Sequence, residues 1–317
     1  MVAVEKQFSY EPERLADDLY AIPLPLHDGS PVNVYVAIGD DGVWLIDGGL
    51  GTERCQNTLR SGLESLGYGL ADIRGLVITH GHTDHVGVAE AVLAAGGEVL
   101  AHRLETSSGR RLAFDESWLR LNGLPADRVG HDAWSSPVWP APTRLLEDGD
   151  RLRLGNLDLE VVWCPGHTPG LVCLYEPRRR VLFTTDHVMR RAMAPVSVRH
   201  DDAANPLREY LDSVRKLEPL AVETVLPGHG RPFQGLRQRL EHIQVEIQHQ
   251  LDQVLERLAA GPTTAYQLLS VHALRDRRPV AARYSISLVL ARLRYLEELG
   301  RVHRITTDRS IHYAVNS

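Results

Sequence analysis

The sequence predicts an α/β fold, in which β-sheets are covered by helices, followed by a small C-terminal winged-helix domain. Up to Gly235, short apolar strands alternate with helical stretches, and several polar loops leave the ends of buried strands. From Leu236 onward the apolar residues recur mainly at helical spacing. We therefore place a domain boundary near residue 236, with a first domain over residues 1–235 and a linker helix plus winged helix over residues 236–317.

Apolar strands separated by turns define the first domain. Strands at residues 32–38 and 43–46, joined by a Gly-Asp-Asp-Gly turn, are expected to open it. A helix over residues 52–66 precedes an apolar strand at residues 75–79, which runs into a polar loop at residues 80–85 and a helix at residues 86–95. Further strands are predicted at residues 98–101, 151–154, 157–163, 171–175, 181–184 and 224–226. Residues 103–140 form a partly helical insertion containing Trp118, Trp134 and Trp139.

The C-terminal segment predicts three helices and a hairpin. One long helix covers residues 236–260, with Leu240, Ile243 and Ile247 at helical spacing. A Gly-Pro-Thr-Thr sequence ends it and caps a short helix at residues 265–271. An amphipathic helix at residues 284–299 is followed by strands at residues 302–306 and 310–315, which form the two-stranded wing. Its expected outward positions are Ser285, Ser287, Arg292, Arg294, Glu297 and Glu298.

The composition excludes several classes of protein. Hydrophobic residues make up 43% and charged residues 24% of the chain, the balance of a globular protein with a full core. The apolar runs are too short to span a bilayer, and the N-terminus has no apolar signal segment. Three cysteines without close spacing indicate neither a disulfide framework nor a cysteine-type zinc finger. We expect a cytoplasmic protein that does not associate with membranes.

The net charge of −6 is unevenly distributed. Residues 236–317 carry 12 Arg and 8 Asp plus Glu, a balance of +4, so the first domain carries −10. Such a contrast can mark a module that faces nucleic acid, and a solvated surface explains it equally well.

Histidines and aspartates follow four separate strands. The first loop places His80, His82, Asp84 and His85 within six residues, directly after a buried strand. Imidazole nitrogen and carboxylate oxygen are the usual protein ligands of zinc and related divalent metals. The spacing puts His80 and His82 on one side of the loop and Asp84 with His85 on the other, which suits two metals.

Three further segments repeat this arrangement. A rigid Pro-Gly loop presents His167, Asp186 follows the strand at residues 181–184, and His229 follows a Pro-Gly pair after the strand at residues 224–226. A single histidine at one such place would be an ordinary turn residue. All of them together with the first loop indicate a metal site.

These residues resemble the metallo-β-lactamase superfamily. Its His-x-His-x-Asp-His motif stands at positions 80–85, with the later ligands in the expected order, and the sequence around Asp47 is similar to its first motif. The resemblance covers about residues 15–235 and implies an αββα sandwich with the metals at one edge of the two sheets. It implies two divalent metal ions per chain, with zinc expected and iron or manganese as alternatives. The first ion would be bound by His80, His82 and His167, the second by Asp84, His85 and His229, and Asp186 would bridge both.

The resemblance also implies a mechanism. Two metals can share a hydroxide, because Zn²⁺ lowers the pKa of bound water to about 7. That hydroxide would attack a carbonyl or phosphoryl centre, with Asp84 holding it and accepting its proton as the catalytic residue. Asp47 would orient a ligand histidine.

The ligand set indicates a branch of the superfamily. Lactam-cleaving members usually lack the extra His85 and often have a cysteine where Asp186 stands, so antibiotic hydrolysis is not the expected activity. The pattern is more similar to glyoxalase II-type thioesterases, lactonases and RNA-cleaving members. A winged helix after such a domain resembles the β-lactamase-like protein 2 group, which includes RNA-cleaving enzymes and enzymes acting on acyl-carrier proteins.

Three functions remain open. The first, which we favour because the acidic first domain would repel RNA, is hydrolysis of a thioester, ester or lactone in a small-molecule or acyl-carrier substrate, with the Trp-bearing insertion as an acyl pocket. The second is an endoribonuclease for single-stranded RNA whose C-terminal arginines contact phosphates. The third is a metal-sensing winged-helix regulator. Because arginines and glutamates balance on the helix at residues 284–299, we do not expect the C-terminal domain to read DNA. The long helix at residues 236–260 is amphipathic and suited to pack against the first domain or a second subunit, so we expect the C-terminal residues to border the active-site cleft and to support a homodimer. The arginines expected to contact phosphates in the second of these functions are Arg283, Arg292, Arg294, Arg301 and Arg304.

Overall fold

The computed structural model describes residues 8–40, 42–105, 116–125, 139–198, 205–269 and 279–316. Its strands form a seven-stranded sheet in the order β1 to β7, a five-stranded sheet in the order β12-β11-β10-β9-β8, and a hairpin of β13 and β14. The strands are β1 (Glu13–Ala16), β2 (Leu19–Pro25), β3 (Pro31–Gly39), β4 (Gly42–Ile46), β5 (Ile73–Ile78), β6 (Glu98–His102), β7 (Arg144–Leu146), β8 (Arg151–Leu154), β9 (Leu157–Trp163), β10 (Val172–Glu176), β11 (Val181–Thr185), β12 (Thr224–Pro227), β13 (Val302–Thr306) and β14 (Ile311–Val315). The helices are α1 (Glu53–Ser65), α2 (Ala89–Ala94), α3 (Glu116–Leu121), α4 (Pro206–Leu217), α5 (Leu236–Leu258) and α6 (Pro279–Glu298).

The two large sheets pack face to face and helices cover their outer faces. Side chains from both sheets, among them Tyr35 and Phe183, form a buried cluster between them. A second cluster joins the outer face of the first sheet to α1, and a third joins the outer face of the second sheet to α4, α5 and α6. The strand β9 shows the alternation that makes this possible, because Leu159 faces the inter-sheet cluster whereas Val162 faces the helices. The predicted αββα sandwich is therefore confirmed.

Strand direction determines where functional side chains can meet. In the first sheet β4, β5, β6 and β7 run parallel, and in the second sheet β11 and β12 run parallel. The remaining pairs in these two sheets are antiparallel. Parallel neighbours end at the same edge of a sheet, so the loops that follow β4, β5, β11 and β12 are brought together.

Local sequence explains the helix α1. The side chain of Thr52 caps its first turn by accepting a hydrogen bond from the backbone N–H of Cys55. Cys55, Leu59 and Leu63 then recur at intervals of four and are buried against the first sheet.

Several elements differ from the prediction. Two strands, β1 and β2, precede the strand that was expected to open the domain, and β7 and α4 were not predicted. The strand β2 contains Pro23 and Pro25, which donate no backbone hydrogen bond and make a sequence look unlike a strand. The helix expected at residues 86–95 begins only at Ala89, because the turn before it packs against another loop, with the N–H of Gly87 donating to the carbonyl of Gly49.

The small C-terminal domain contains the predicted long helix, a second helix and a hairpin. Residues 265–269, expected to begin a short helix, form turns, and residues 270–271 lie outside the described residues. Ser287, expected to point outward on α6, is buried, and Arg292 is half-buried and donates to the side chain of Gln250 on α5. The winged-helix assignment remains a prediction.

The described helices include none with the length and apolar character needed to cross a membrane. The longest of them, α5, buries one apolar face against the protein and carries charged residues on the other.

We predict that Phe183→Ala lowers the free energy of unfolding by about 3–5 kcal/mol, because Phe183 fills the space between the sheets and meets Tyr35 edge-on with ring centroids 5.2 Å apart. Denaturant unfolding measures the change. Leu145→Ala, at a residue that is 49% exposed, is the control and should change it by less than about 0.5 kcal/mol. Equal effects of the two substitutions would mean that this cluster does not join the sheets.

Candidate metal centre

The predicted site residues meet at one edge of the sandwich. Asp47 follows β4, His80 follows β5, Asp186 follows β11 and His229 follows β12, while His167 lies in the loop between β9 and β10. Because β4 and β5 are parallel, as are β11 and β12, their ends bring these loops together from both sheets.

The first cluster consists of three histidines. The Nδ1 atom of His82 lies 3.0 Å from the Nε2 atom of His80 and 3.0 Å from the Nε2 atom of His167. His80 and His167 are buried, and His82 is partly exposed. Together with an oxygen of Asp186, these nitrogens lie within 4.8 Å of one another, which is the arrangement that a single metal ion requires.

The second cluster combines a carboxylate with two histidines. The Nε2 atom of His229 lies 3.3 Å from Oδ2 of Asp84, and the Nε2 atom of His85 lies 3.7 Å from the same oxygen. These potential ligand atoms also lie within 4.8 Å of one another. The two groups therefore stand side by side, as the alternation in the first loop predicted.

Asp186 lies between the clusters and faces each with a different oxygen. Its Oδ2 is 3.7 Å from the Nε2 atoms of both His80 and His167, whereas its Oδ1 is 3.6 Å from Nε2 of His85 and 3.4 Å from Nε2 of His229. This carboxylate is oriented as a bridging ligand would be.

The backbone next to Asp186 is fitted to this orientation. A Cβ atom at Gly228 would come within 2.5 Å of Asp186 Oδ1, so only glycine leaves room for the carboxylate there. Thr185 has a φ of 46°, a conformation that costs about 1–3 kcal/mol for a residue other than glycine. The strained residue directly precedes Asp186, whose carboxylate faces both clusters.

Hydrogen bonds from behind orient the histidine rings. Asp47 Oδ2 lies 2.8 Å from Nδ1 of His85, and Thr79 donates to Asp47 from both its backbone N–H and its hydroxyl. The Nδ1 atoms of His167 and His229 lie 2.8 Å and 3.3 Å from the carbonyl oxygens of Pro195 and Pro31. Each of these three rings therefore turns Nε2 towards the clusters.

The two clusters differ in electrostatics. Burial lowers the pKa of His80 well below its ordinary value, and burial together with His167 lowers the pKa of His82 to about 3. In the second cluster burial also opposes protonation, but nearby carboxylates outweigh it. Asp47, Asp84 and Asp186 raise the pKa of His85, while Asp186 and Asp84 raise the pKa of His229 to about 10.

The carboxylates respond in the opposite direction. Burial alone would raise the pKa of Asp186, but His85 and His229 lower it well below its ordinary value. The pKa of Asp84 is also lowered, by the same two histidines against the effect of burial. Both carboxylates are therefore ionised at neutral pH.

The donor atoms fit a divalent metal. Within the described part of the chain, the buried atoms Nε2 of His85 and Oδ1 of Asp186 have no hydrogen-bond partner, and both point into the group. Leaving buried polar atoms unsatisfied is costly, and a cation coordinated by them removes that cost. Nitrogen and oxygen donors without thiolate are typical of zinc, iron or manganese sites.

The remaining cysteines and histidines were not predicted as metal ligands, and none of those in the described part of the chain belongs to either cluster. Cys164 and Cys173 are buried core residues, and His187 packs against the ring of Tyr210. His102 stacks on Trp163, with ring centroids 5.4 Å apart. His131 and His200 lie outside the described residues.

Apart from Asp47, the sequence did not single out the residues that support the site. Thr79 hydrogen-bonds Asp47, Asn33 donates to the carbonyls of Pro227 and Gly230 beside His229, and Glu105 lies between two ligand loops. Their one sequence signal is position, because Thr79 directly follows β5 and Glu105 shortly follows β6 at the same edge of the first sheet.

Comparison with known proteins agrees with this geometry. Acyl-coenzyme A thioesterase MBLAC2 of Gallus gallus is 31% identical over 221 residues, which cover 65% of this chain and 74% of that protein. Hydroxyacylglutathione hydrolase GloC of Haemophilus influenzae is 29% identical over 162 residues, covering 50% of this chain and 69% of that protein. The crystal structure of a metallo-β-lactamase family protein from Thermus thermophilus superposes with a TM-score of 0.82 at 29% identity, covering 96% of this chain and 100% of the other.

The sequence profile of the metallo-β-lactamase superfamily matches residues 27–229, which contain Asp47 and every residue of the two clusters. The chain belongs to the metallo-β-lactamase superfamily.

Proposed function

We propose that the chain hydrolyses a carbonyl substrate, a thioester, ester or lactone, at two adjacent divalent metal ions. The observation that carries the proposal is the placement of Asp186, whose two carboxylate oxygens face two separate groups of nitrogen and oxygen ligands. The relatives named for thioester chemistry, an acyl-coenzyme A thioesterase and a hydroxyacylglutathione hydrolase, favour a carbonyl substrate.

The proposed ligand roles follow the clusters. The first ion would be held by His80, His82 and His167, the second by Asp84, His85 and His229, with Asp186 shared. Zinc is the metal we expect, because four-coordinate nitrogen and oxygen sites suit it. Asp47 would hold His85 in the tautomer that presents Nε2.

The metals and the protein would contribute differently to hydrolysis. When bound, divalent ions supply Lewis acidity and lower the pKa of water to about 7. Asp84 would orient the attacking water and accept its proton, since its carboxylate is ionised and its side chain is 21% exposed, against 9% for Asp186. A proton on Asp84 can therefore pass to solvent, whereas Asp186 is too enclosed to do so.

The structure weakens the case for RNA as the substrate. Of the arginines expected to contact phosphates, Arg292 is half-buried and donates to Gln250, and Arg304 pairs with Glu297 at 2.9 Å. The side chain of Arg283 lies outside the described residues. At least two of the five are thus already engaged within the protein, which leaves fewer cations for a nucleic-acid backbone.

A turnover screen of the zinc-loaded protein tests the function. We expect hydrolysis of acyl-coenzyme A thioesters or lactones and no cleavage of single-stranded RNA. Asp186→Ala should lower the rate by orders of magnitude, because both ions lose a shared ligand. Its circular dichroism spectrum should be unchanged. Cleavage of RNA alone, or full activity in Asp186→Ala, would overturn the proposal.

Metal loading should release protons from one cluster only. At pH 7 His82, with its pKa of about 3, is already neutral, whereas His229, with its pKa of about 10, is protonated together with His85. Ligand histidines must be neutral, so the second cluster must lose about two protons when it binds a metal. Its apparent affinity should rise with pH towards 10, and that of the first cluster should stay flat between about pH 5 and about 7, below which metal-bound water keeps its protons.

Titration calorimetry at about pH 6, below the pKa of about 7 of metal-bound water, measures this release in buffers of different ionisation enthalpy. We expect two ions per chain by elemental analysis, one bound without proton release and one with it. A single ion per chain, or equal proton release from both steps, would contradict the assignment of two distinct clusters.

The insertion before β7 is proposed to line an acyl pocket. Its described helix α3 carries Trp118, half-buried against the cluster beneath α5 and α6, while Trp134 lies outside the described residues. Trp118→Leu should raise KM for a long-chain acyl thioester about tenfold, a loss of about 1.4 kcal/mol of binding, and leave kcat unchanged. Trp44→Leu removes a half-buried indole elsewhere, from β4, and is the control. Equal kinetics in both variants would assign α3 a structural role only.

A further inference from the structure

Glu105 contacts both loops that carry the first cluster. It ends the short 3₁₀ helix after β6, and its side chain is buried with 7% exposure. Its Oε2 accepts a hydrogen bond from the backbone N–H of Gly81 at 2.7 Å, and its Oε1 accepts one from the N–H of Gly170, also at 2.7 Å. Gly81 lies between His80 and His82, and Gly170 lies three residues after His167.

We propose that Glu105 is a positioning residue that clamps these two loops together and thereby sets the geometry of the first metal cluster. The inference rests on the proposed ligand roles of His80, His82 and His167. Those three side chains come from only two loops, and Glu105 joins both through one carboxylate. The second cluster draws on Asp84, His85 and His229, and its rings are held instead by Asp47 and the carbonyl of Pro31.

The chemistry of the contact requires an ionised carboxylate. Each oxygen accepts a hydrogen bond from an N–H group. In the ionised form both oxygens are acceptors only, whereas in the protonated form one of them carries an O–H donor. Such charge-assisted bonds are short and stronger than bonds between neutral groups, as the two 2.7 Å distances indicate. Glutamine would turn an amide N–H₂ towards one of the two N–H donors and so release one loop.

The loops are shaped to receive this side chain. A Cβ atom at Gly81 would lie 2.9 Å from Glu105 Oε2, and one at Gly170 would lie 2.7 Å from the Cγ of Glu105 and 2.9 Å from Nδ1 of His102. Both backbones approach the Glu105 side chain so closely that a Cβ atom at either position would force neighbouring atoms to shift. A contact of this kind, made at both ends against glycine, fixes the separation of the two loops.

The consequence is an asymmetric effect on metal binding. Substitution of groups that orient metal ligands from behind typically lowers metal affinity by about 10–100-fold. We expect Glu105→Gln to lower the affinity of the first cluster by that factor and to leave the second cluster unchanged within about twofold.

Variants in which only one cluster keeps all its ligands test this expectation. Their affinity for zinc is measured by competition with a chelator. His229→Ala removes a ligand of the second cluster, so the tightly bound ion reports on the first, and His167→Ala does the reverse. Glu105→Gln should lower the affinity for zinc about 10–100-fold in the His229→Ala protein and less than about twofold in the His167→Ala protein. Glu147→Gln is the matched control, because Glu147 is 57% exposed and pairs with Arg103 at 3.2 Å on the nearby surface.

The possible outcomes distinguish a positioning role of Glu105 from a general effect on stability, and both from a wrong assignment of the metal ligands. Equal weakening in both backgrounds, or a lower Tm with unchanged zinc affinity, would overturn the proposal. Failure of the parent His229→Ala protein to bind zinc would instead count against the ligand assignment itself.

A measurement on the unsubstituted protein keeps the proposal testable if Glu105→Gln does not fold. In metal-free protein the amide protons of Gly81 and Gly170 should exchange with solvent slowly and to the same extent as in zinc-loaded protein, because Glu105 holds them without the metal. Rapid exchange of either amide before zinc is added would show that the metal, and not Glu105, joins the loops.

Discussion

The buried carboxylate of Asp186 is the constraint on which the rest of the site depends. A charge removed from water is costly unless it is paired, and Asp186 lies against Nε2 atoms of four histidines from three loops. Without a metal, protons on His85 and His229 compensate the charges of Asp186 and Asp84. With metal, the ions would replace those protons. The same geometry therefore accounts for the strained backbone at Thr185, the absence of a side chain at Gly228 and the opposite pKa shifts in the two clusters.

The sandwich explains how one carboxylate can reach both clusters. The parallel pair β4 and β5 in one sheet and the parallel pair β11 and β12 in the other end at a common edge. Phe183 and Tyr35 pack between the sheets just behind that edge, and the hydroxyl of Tyr35 donates to the carbonyl of Pro227, two residues before His229. The side chains that pack between the sheets therefore also fix the position of the loop that carries His229.

The C-terminal helices support the same region. Arg239 on α5 donates to the carbonyls of Met189 and Ala192, and the backbone of Ser287 on α6 accepts from Val198. The segment between these contacts contains Pro195, whose carbonyl orients His167. Residues on both sides of the predicted boundary near residue 236 belong to one buried cluster. The boundary itself and a position of the C-terminal domain beside the active-site cleft remain predictions. A role in forming a homodimer remains a proposal.

The sequence predicted those features that depend on local pattern. Strands with regular alternation, such as β8 and β9, were predicted with their observed bounds. The seven proposed ligands were recognised because they lie in loops after strands or rigid Pro-Gly turns, and the structure brings all seven into the two clusters. Their role as ligands remains a prediction. The strand β2 was missed because it contains two prolines, which donate no backbone hydrogen bond and are rare inside strands. Glu105 was missed for a different reason, since its two partners lie 24 and 65 residues away along the chain. Contacts between distant loops follow from the folded sheets and not from spacing in the sequence.

The most direct test of the central claim is a crystal structure of the zinc-loaded protein with anomalous diffraction measured at the zinc absorption edge. The account predicts two anomalous peaks on opposite sides of the Asp186 carboxylate. One peak should lie among His80, His82 and His167, and the other among Asp84, His85 and His229. A single peak, or a peak that does not contact Asp186, would contradict it.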